Sequence, residues 1–304
     1  MRYFTIYCTC FFYSLAIPAQ NCRTVSETIY KDDHVFIYKK DTVCFDKPGL
    51  LNNMGHVPSD MWMIVKSPFR KKNYIGLSVV AASTAILIAK DQSILKEVCA
   101  ISDRIGLNPQ TDYHVVWKVG TTKVLKIPQN LNTGLYQAGE GATSMMLAGG
   151  LWIYGKISKD RRTIYTANDL AETFVTMGLT TQILKRVTGR ESPFMETKSG
   201  GRWKPLPAFR EYQRNTSAYD GFPSGHLATL MATITVLSYN YPEKKWIKPL
   251  GYTLMSLSSW AMINTQVHWA GDYPLAIALG YLSGKITTWR HRRKSSEVTK
   301  RILL

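Results

Sequence analysis

The sequence predicts an all-α fold, a helical bundle of about six core helices in contact with a membrane. Three observations predict it. Apolar segments of helical length recur from residue 74 to residue 289, none shows the alternation of a strand, and turn-forming or basic clusters separate them. The expected helices run from Tyr74 to Ala89, Ala142 to Ile157, Ala167 to Leu184, Gly225 to Tyr241, Trp246 to Ile263 and Tyr273 to Trp289. Most are shorter than the roughly 20 apolar residues of a bilayer span, and the third carries Asp169 and Glu172. Their basic flanks nevertheless sort: Lys159 to Arg162, Glu243 to Lys245 and Arg290 to Lys294 fall at one end of an up-and-down bundle, as the positive-inside tendency expects. A water-soluble bundle is the alternative.

Around this helical domain, 71–290, the chain is less patterned. Met1-Arg2, an apolar run from Tyr3 to Ala19 and polar Gln20-Asn21 read as a secretory signal over 1–20, with an uncleaved anchor as the alternative. Residues 21–70 are polar and read as an irregular extension, and 291–304 form a basic tail. Of five cysteines, Cys8 and Cys10 lie in the leader. A Cys22–Cys44 disulfide would suit an oxidising envelope space, and Cys99 reads as a buried thiol. Cysteine spacings do not suggest a zinc site, and no metal or other cofactor is expected.

Charge narrows the partners. Among 304 residues, 38 Lys and Arg face 21 Asp and Glu, a formal charge of +17. Such an excess favours anions: acidic lipid surfaces or phosphorylated substrates. Nucleic acid is not expected, because the basic residues are scattered and no reading motif appears. Mean hydropathy is −0.13, ordinary for a soluble chain. Oligomeric state has no signature.

Three clusters carry chemistry. Lys185 to Pro193 (Lys-Arg-Val-Thr-Gly-Arg-Glu-Ser-Pro) closes one apolar helix and contains Arg190. Pro223-Ser224-Gly225-His226 opens another, with Ser224 placed as N-cap and the backbone N–H groups around Ser224 and Gly225 forming an anion cradle. In His268-Trp269-Ala270-Gly271-Asp272, Asp272 is spaced to reach one nitrogen of His268, leaving the other as nucleophile or base. Singly these are a basic helix end, a capped helix with a histidine and a capping aspartate. Their order and spacing together point to phosphoryl transfer.

On these residues the chain resembles the type 2 phosphatidic acid phosphatase (PAP2) family, related to bacterial acid phosphatases and vanadium haloperoxidases. The family pattern is Lys, six residues, Arg-Pro; then Pro-Ser-Gly-His; then Ser-Arg, five residues, His, three residues, Asp. Lys185, Pro193, Pro223 to His226, His268 and Asp272 match it, within a resemblance covering roughly 140–290. Two arginines that hold phosphate in the family are absent: Ser192 and Met262 stand in their places. Arg190 is the expected local substitute, and Lys198, Arg202, Lys204 and Arg210 are further candidates.

The resemblance implies a phosphatase in which His268 attacks phosphorus, Asp272 orients it, and His226 protonates the leaving alkoxide. Lys185, Arg190, Ser224 and Gly225 would bind the phosphate. The expected substrate is a lipid or isoprenoid phosphate or diphosphate, or a small phosphoester. The expected place is the cell envelope: the inner membrane with a periplasm-facing site, or the periplasm. The alternatives are a non-catalytic binder of phosphorylated lipids, favoured by Ser192 and Met262, and a soluble periplasmic acid phosphatase. A vanadate-dependent haloperoxidase would especially need the missing arginines.

Overall fold

A computed structural model describes residues 34–38, 41–45, 49–120, 122–291 and 293–294. The leader and Cys22 lie outside these residues, as does the tail beyond 294. The chain divides into two units. The first joins Met1–Asp46 to Arg292–Leu304. In it β1 (His34–Tyr38) and β2 (Asp41–Phe45), both rich in β-branched and aromatic residues, pair antiparallel. A two-residue strand, Arg293–Lys294, pairs with β2.

The second unit, Lys47–His291, is the expected helical bundle. It begins with two short helices, α1 (Leu50–Met54) and α2 (Val57–Lys66). Within 21–70, expected to be irregular, the described residues thus include two strands and two helices. Pro58 in the first turn of α2 fits a position whose N–H has no partner, and Val57, Asp60 and Ile64 form its buried face. Next comes α3 (Tyr74–Arg104), about twice as long as expected. Lys90 and Asp91 look like a helix end after an apolar run, yet the helix continues because Asp91, Leu95, Val98 and Ser102 give it a buried face.

A hairpin absent from the sequence-based expectation follows, β3 (Tyr113–Val119) paired with β4 (Thr122–Pro128). The remaining helices are α4 (Leu131–Ala138), α5 (Gly141–Ile157), α6 (Arg161–Thr188), α7 (Phe209–Arg214), α8 (Gly225–Asn240), α9 (Ile247–Asn264) and α10 (Tyr273–His291). Five of them match the expected segments to within a few residues at most ends.

The core joins α3, α6, α8, α9 and α10 through Leu95, Val98, Met177, Leu227, Met262 and Ala276, with Trp269 and Tyr273 beside them. Cys99, expected to be buried, is half-buried and packs against this cluster. At one end of the bundle Arg162 donates to the Asn240 carbonyl, while Asn240 and His291 both bond Asp169. The N-terminus of α6 and the C-termini of α8 and α10 therefore meet there. At the other end lie the C-terminus of α6 and the N-termini of α8 and α10, which is where the three motif loops gather.

Gly189 ends α6 in the left-handed conformation, φ +57. A Cβ there would stand 1.8 Å from the Lys204 carbonyl oxygen. Gly189→Ala should therefore cost at least about 2 kcal/mol. For a domain of this size that lowers the thermal midpoint by roughly 4–8 °C, readable by circular dichroism.

Among the described residues one helix, Lys71–Arg104, is long and apolar enough to cross a membrane. Its apolar stretch is not buried in the fold. Ile75, Val79 and Ile86 are well exposed along it.

Candidate active site

Backbone hydrogen bonds knit the three motif loops together. The Gly221 amide donates to the Arg190 carbonyl at 2.8 Å, the Phe194 amide to the Gln266 carbonyl at 3.0 Å, and the Ser224 amide to the Asp272 carbonyl at 3.1 Å. Ser224 caps α8 as expected, its hydroxyl accepting from the Leu227 amide at 3.4 Å. The Ser224 amide is thus taken up by Asp272. Among the cradle groups, the amides of Gly225 and His226 are first-turn donors that helix geometry leaves without an intrahelical acceptor.

His268 is buried, and its Nδ1 lies 2.9 Å from the Gly221 carbonyl oxygen. A carbonyl only accepts, so Nδ1 carries the proton and the lone pair is on Nε2. Asp272 approaches the same nitrogen, Oδ2 to Nδ1 at 3.4 Å, while that oxygen takes the Trp269 amide at 2.8 Å. The carboxylate therefore shares the orienting role with a carbonyl outside the motif pattern. The His226 ring meets the His268 ring edge-on, centroids 5.6 Å apart. Lys185 is buried, with Nζ 3.5 Å from Asp220 and beside Gly225, 3.8 Å from where a Cβ of that glycine would be. The structure thus brings His226, His268, Asp272, Lys185, Ser224 and Gly225 together.

Arg190 is placed differently from the phosphate contact expected of it. It is fully buried, donating from Nη1 to Asp272 Oδ1 at 2.6 Å, and from Nη2 to Asp91 Oδ2 at 2.6 Å and the Gly200 carbonyl at 2.8 Å. Trp203 and Trp269 flank the guanidinium, ring centroids 4.9 and 5.3 Å away. The other oxygen of Asp91 is also in use: Oδ1 accepts the Gly271 amide at 2.7 Å. Gly271 is required there, since a Cβ would lie 2.8 Å from Asp91 Oδ2. Nor do the other basic candidates reach the histidines by any bond. Arg202 pairs with Glu191, Lys204 pairs with Glu211, and Lys198 and Arg210 are exposed. Where the family arginines would stand, Ser192 is buried in a turn and Met262 is in the core, its sulfur 3.9 Å from the Ser224 hydroxyl.

Sequence reasoning missed four groups. Asp220 and Gly221 lie three and two residues before Pro223, and a glycine carbonyl carries no side-chain signal. Asp91 is hidden by its resemblance to a helix end. The fourth, Tyr136, sits on His226 at 4.7 Å between centroids, and behind it Glu140 takes Lys126 at 2.7 Å and the Tyr113 hydroxyl at 3.2 Å. Hairpin β3–β4 and α4 therefore wall the His226 side.

Electrostatics separates the histidines from the carboxylate. Burial, then the Lys185 ammonium, pushes His268 down to about 3, so its imidazole is neutral near pH 7. Burial, then His268 and Lys185, also holds His226 well below the usual histidine value. Burial raises Asp272 to about 6 against the opposing pull of Arg190, which leaves it ionised at neutral pH. The arrangement can present a neutral imidazole lone pair beside a cation and a helix N-terminus.

The family match falls on the same region. Residues 166–296 match the PAP2 superfamily. The chain is 31% identical over 83 residues to a lipid A 1-phosphatase of Porphyromonas gingivalis, an alignment covering 27% of this chain and 19% of that relative. No solved structure matches the chain. All three motif loops lie inside the matched segment and fold onto one end of one bundle, so the likeness to the PAP2 superfamily rests on residues 166–296 and on the residues that form this site.

Proposed function

We propose that the chain hydrolyses phosphate esters through a phosphohistidine on His268. The observation that carries this is the buried His268, its Nδ1–H held by the Gly221 carbonyl and Asp272, beside Lys185 and the N-terminus of α8. Nε2 attacks phosphorus as the P–O bond to the alcohol breaks, and His226 gives its proton to the departing alkoxide. Water then attacks phosphorus, His226 takes the water's proton, and the P–N bond breaks to release phosphate. Lys185 and the Gly225 and His226 amides hold the phosphate oxygens, which is where the charge of the transition state resides. Arg190 is a positioning residue: it holds Asp272, which with Gly221 holds His268.

The substrate we infer is a lipid or isoprenoid phosphate or diphosphate, met at a membrane surface. The unburied apolar face of the helix Lys71–Arg104 supports this, as does similarity to a relative named for lipid A dephosphorylation. We place the protein in the cell envelope on the same grounds. A second reading is a binder of phosphorylated lipids that does not turn over. It draws on Met262 and Ser192 in place of arginines and on Arg190 being bonded elsewhere.

Phosphate release by the purified full-length protein from lipid, isoprenoid and small phosphoesters decides between them. Turnover supports the enzyme; affinity without release sinks it. The pH profile is specific as well. His268 must be neutral, a condition lost below about 3, and His226 must be protonated, a condition lost as pH rises through its lowered value. Accordingly kcat/KM, which reports the free enzyme, should peak below pH 6.5. Above that peak it should fall about tenfold per pH unit.

A further inference from the structure

A second cluster of ionisable groups lies at the opposite end of the bundle, away from the three motif loops. Asp169 and Glu172, one turn apart on α6, and His291 at the end of α10 come together there, with Asp60 of α2 against Glu172. The three carboxylates are essentially solvent-free. Ligand atoms of Asp169, Glu172 and His291 all lie within 4.8 Å of one another.

The hydrogen bonds divide these groups into two kinds. Asp169 is fully engaged: Oδ1 is 2.8 Å from His291 Nδ1, and Oδ2 accepts from Asn240 Nδ2 at 2.8 Å. That fixes the imidazole with Nδ1 towards a carboxylate, so its lone pair is on Nε2. With the carboxylates ionised, His291 Nε2, both oxygens of Glu172 and Oδ2 of Asp60 have no hydrogen-bond partner; only a proton on Glu172 would let it bond Asp60. Leaving such atoms buried and unmet is costly, and here four of them belong to one cluster. His291 Nε2 and Glu172 Oε2 are 3.4 Å apart. Two ligands at about 2.1 Å from a tetrahedral ion are separated by about the same distance.

Charge agrees. The only cation bonded into the cluster among the described residues is Arg290, which pairs with Asp60 Oδ1. With all three carboxylates ionised, one guanidinium leaves two negative charges, which a dication would offset. His56 stands on the outer side, its ring 5.9 Å from that of His291.

We propose that His291 Nε2, Glu172 and Asp60 bind a divalent first-row metal ion, with Asp169 orienting the imidazole from behind. A nitrogen–oxygen donor set of this kind suits Zn²⁺ or Mn²⁺, and a carboxylate behind a ligating histidine is the usual support for such an ion. The ion would tie α2, α6 and α10 together.

The test is metal analysis of the purified full-length protein after chelator dialysis, followed by titration with Zn²⁺ and with Mn²⁺. One equivalent should bind, and the thermal midpoint should rise with metal concentration. Glu172→Gln and His291→Gln should each weaken binding at least about 100-fold, and Asp169→Asn about 10- to 100-fold. No binding by the parent, or parental affinity in both ligand variants, overturns the proposal and leaves a cluster held by protons. Should the variants fail to fold, the parent's Co²⁺ adduct decides. Ligand-field absorption from one imidazole and carboxylates supports the site, and absence of bound Co²⁺ overturns it.

Discussion

Arg190→Lys is expected to lower kcat for phosphate release about 100-fold while KM changes by no more than about threefold. The split follows from what the guanidinium touches. Its three bonds end on Asp272, Asp91 and the Gly200 carbonyl, so it joins α3 to two of the motif loops. A lysine keeps the charge but replaces a planar fork with a single point, and cannot hold both carboxylates in their present places. Asp272 would then move relative to His268, which sets the attack rather than the affinity for phosphate. An arginine gripping substrate oxygens would give the opposite result, a raised KM with a smaller change in kcat. Arg190→Ala goes further, leaving Asp91 and Asp272 buried without their cation, at a cost of about 3–5 kcal/mol. Steady-state kinetics on the lysine variant and denaturant melts of both variants read these effects separately. A raised KM with unchanged kcat in Arg190→Lys would return this arginine to the phosphate.

This arginine also marks where the sequence stops being legible. The helices are readable because their apolar segments are long and bounded by capping residues, among them Ser224 before α8. The convergence of Lys185, His226 and His268 is readable because the spacing in each loop is local. What Arg190 bonds is not local. Its partner Asp91 lies 99 residues away, just after an apolar run, where a charged pair with Lys90 reads as a helix end. The hairpin from Tyr113 to Pro128 escapes for a different reason: its β-branched residues are interrupted by lysines, and the pairing is irregular near Trp117. The Asp60, Asp169, Glu172 and His291 cluster draws on three stretches more than 100 residues apart end to end, a pattern no spacing rule covers.

His268→Ala should reduce phosphate release by at least about 10⁴-fold, the scale seen when a nucleophile is removed from a working set. The magnitude alone does not separate a nucleophile from a base, because loss of either would be severe. Covalent labelling does. On the proposed path, acid quench of the parent during turnover of a radiolabelled phosphoester traps an acid-labile phosphoimidazole, and His268→Ala traps none. His226→Ala provides the contrast. With an aryl phosphate whose leaving group needs no proton, the first step still runs, while the water that must clear the intermediate has lost its base. Label should therefore accumulate on His268 in that variant above the parental level. The geometry makes this ordering specific: the rings meet edge-on at 5.6 Å, so each can serve a different side of one phosphorus without bonding the other. Parental phosphate release by His268→Ala would sink the assignment outright. Unlabelled His268 in an active parent would instead keep the hydrolase and make His268 the base for direct attack by water.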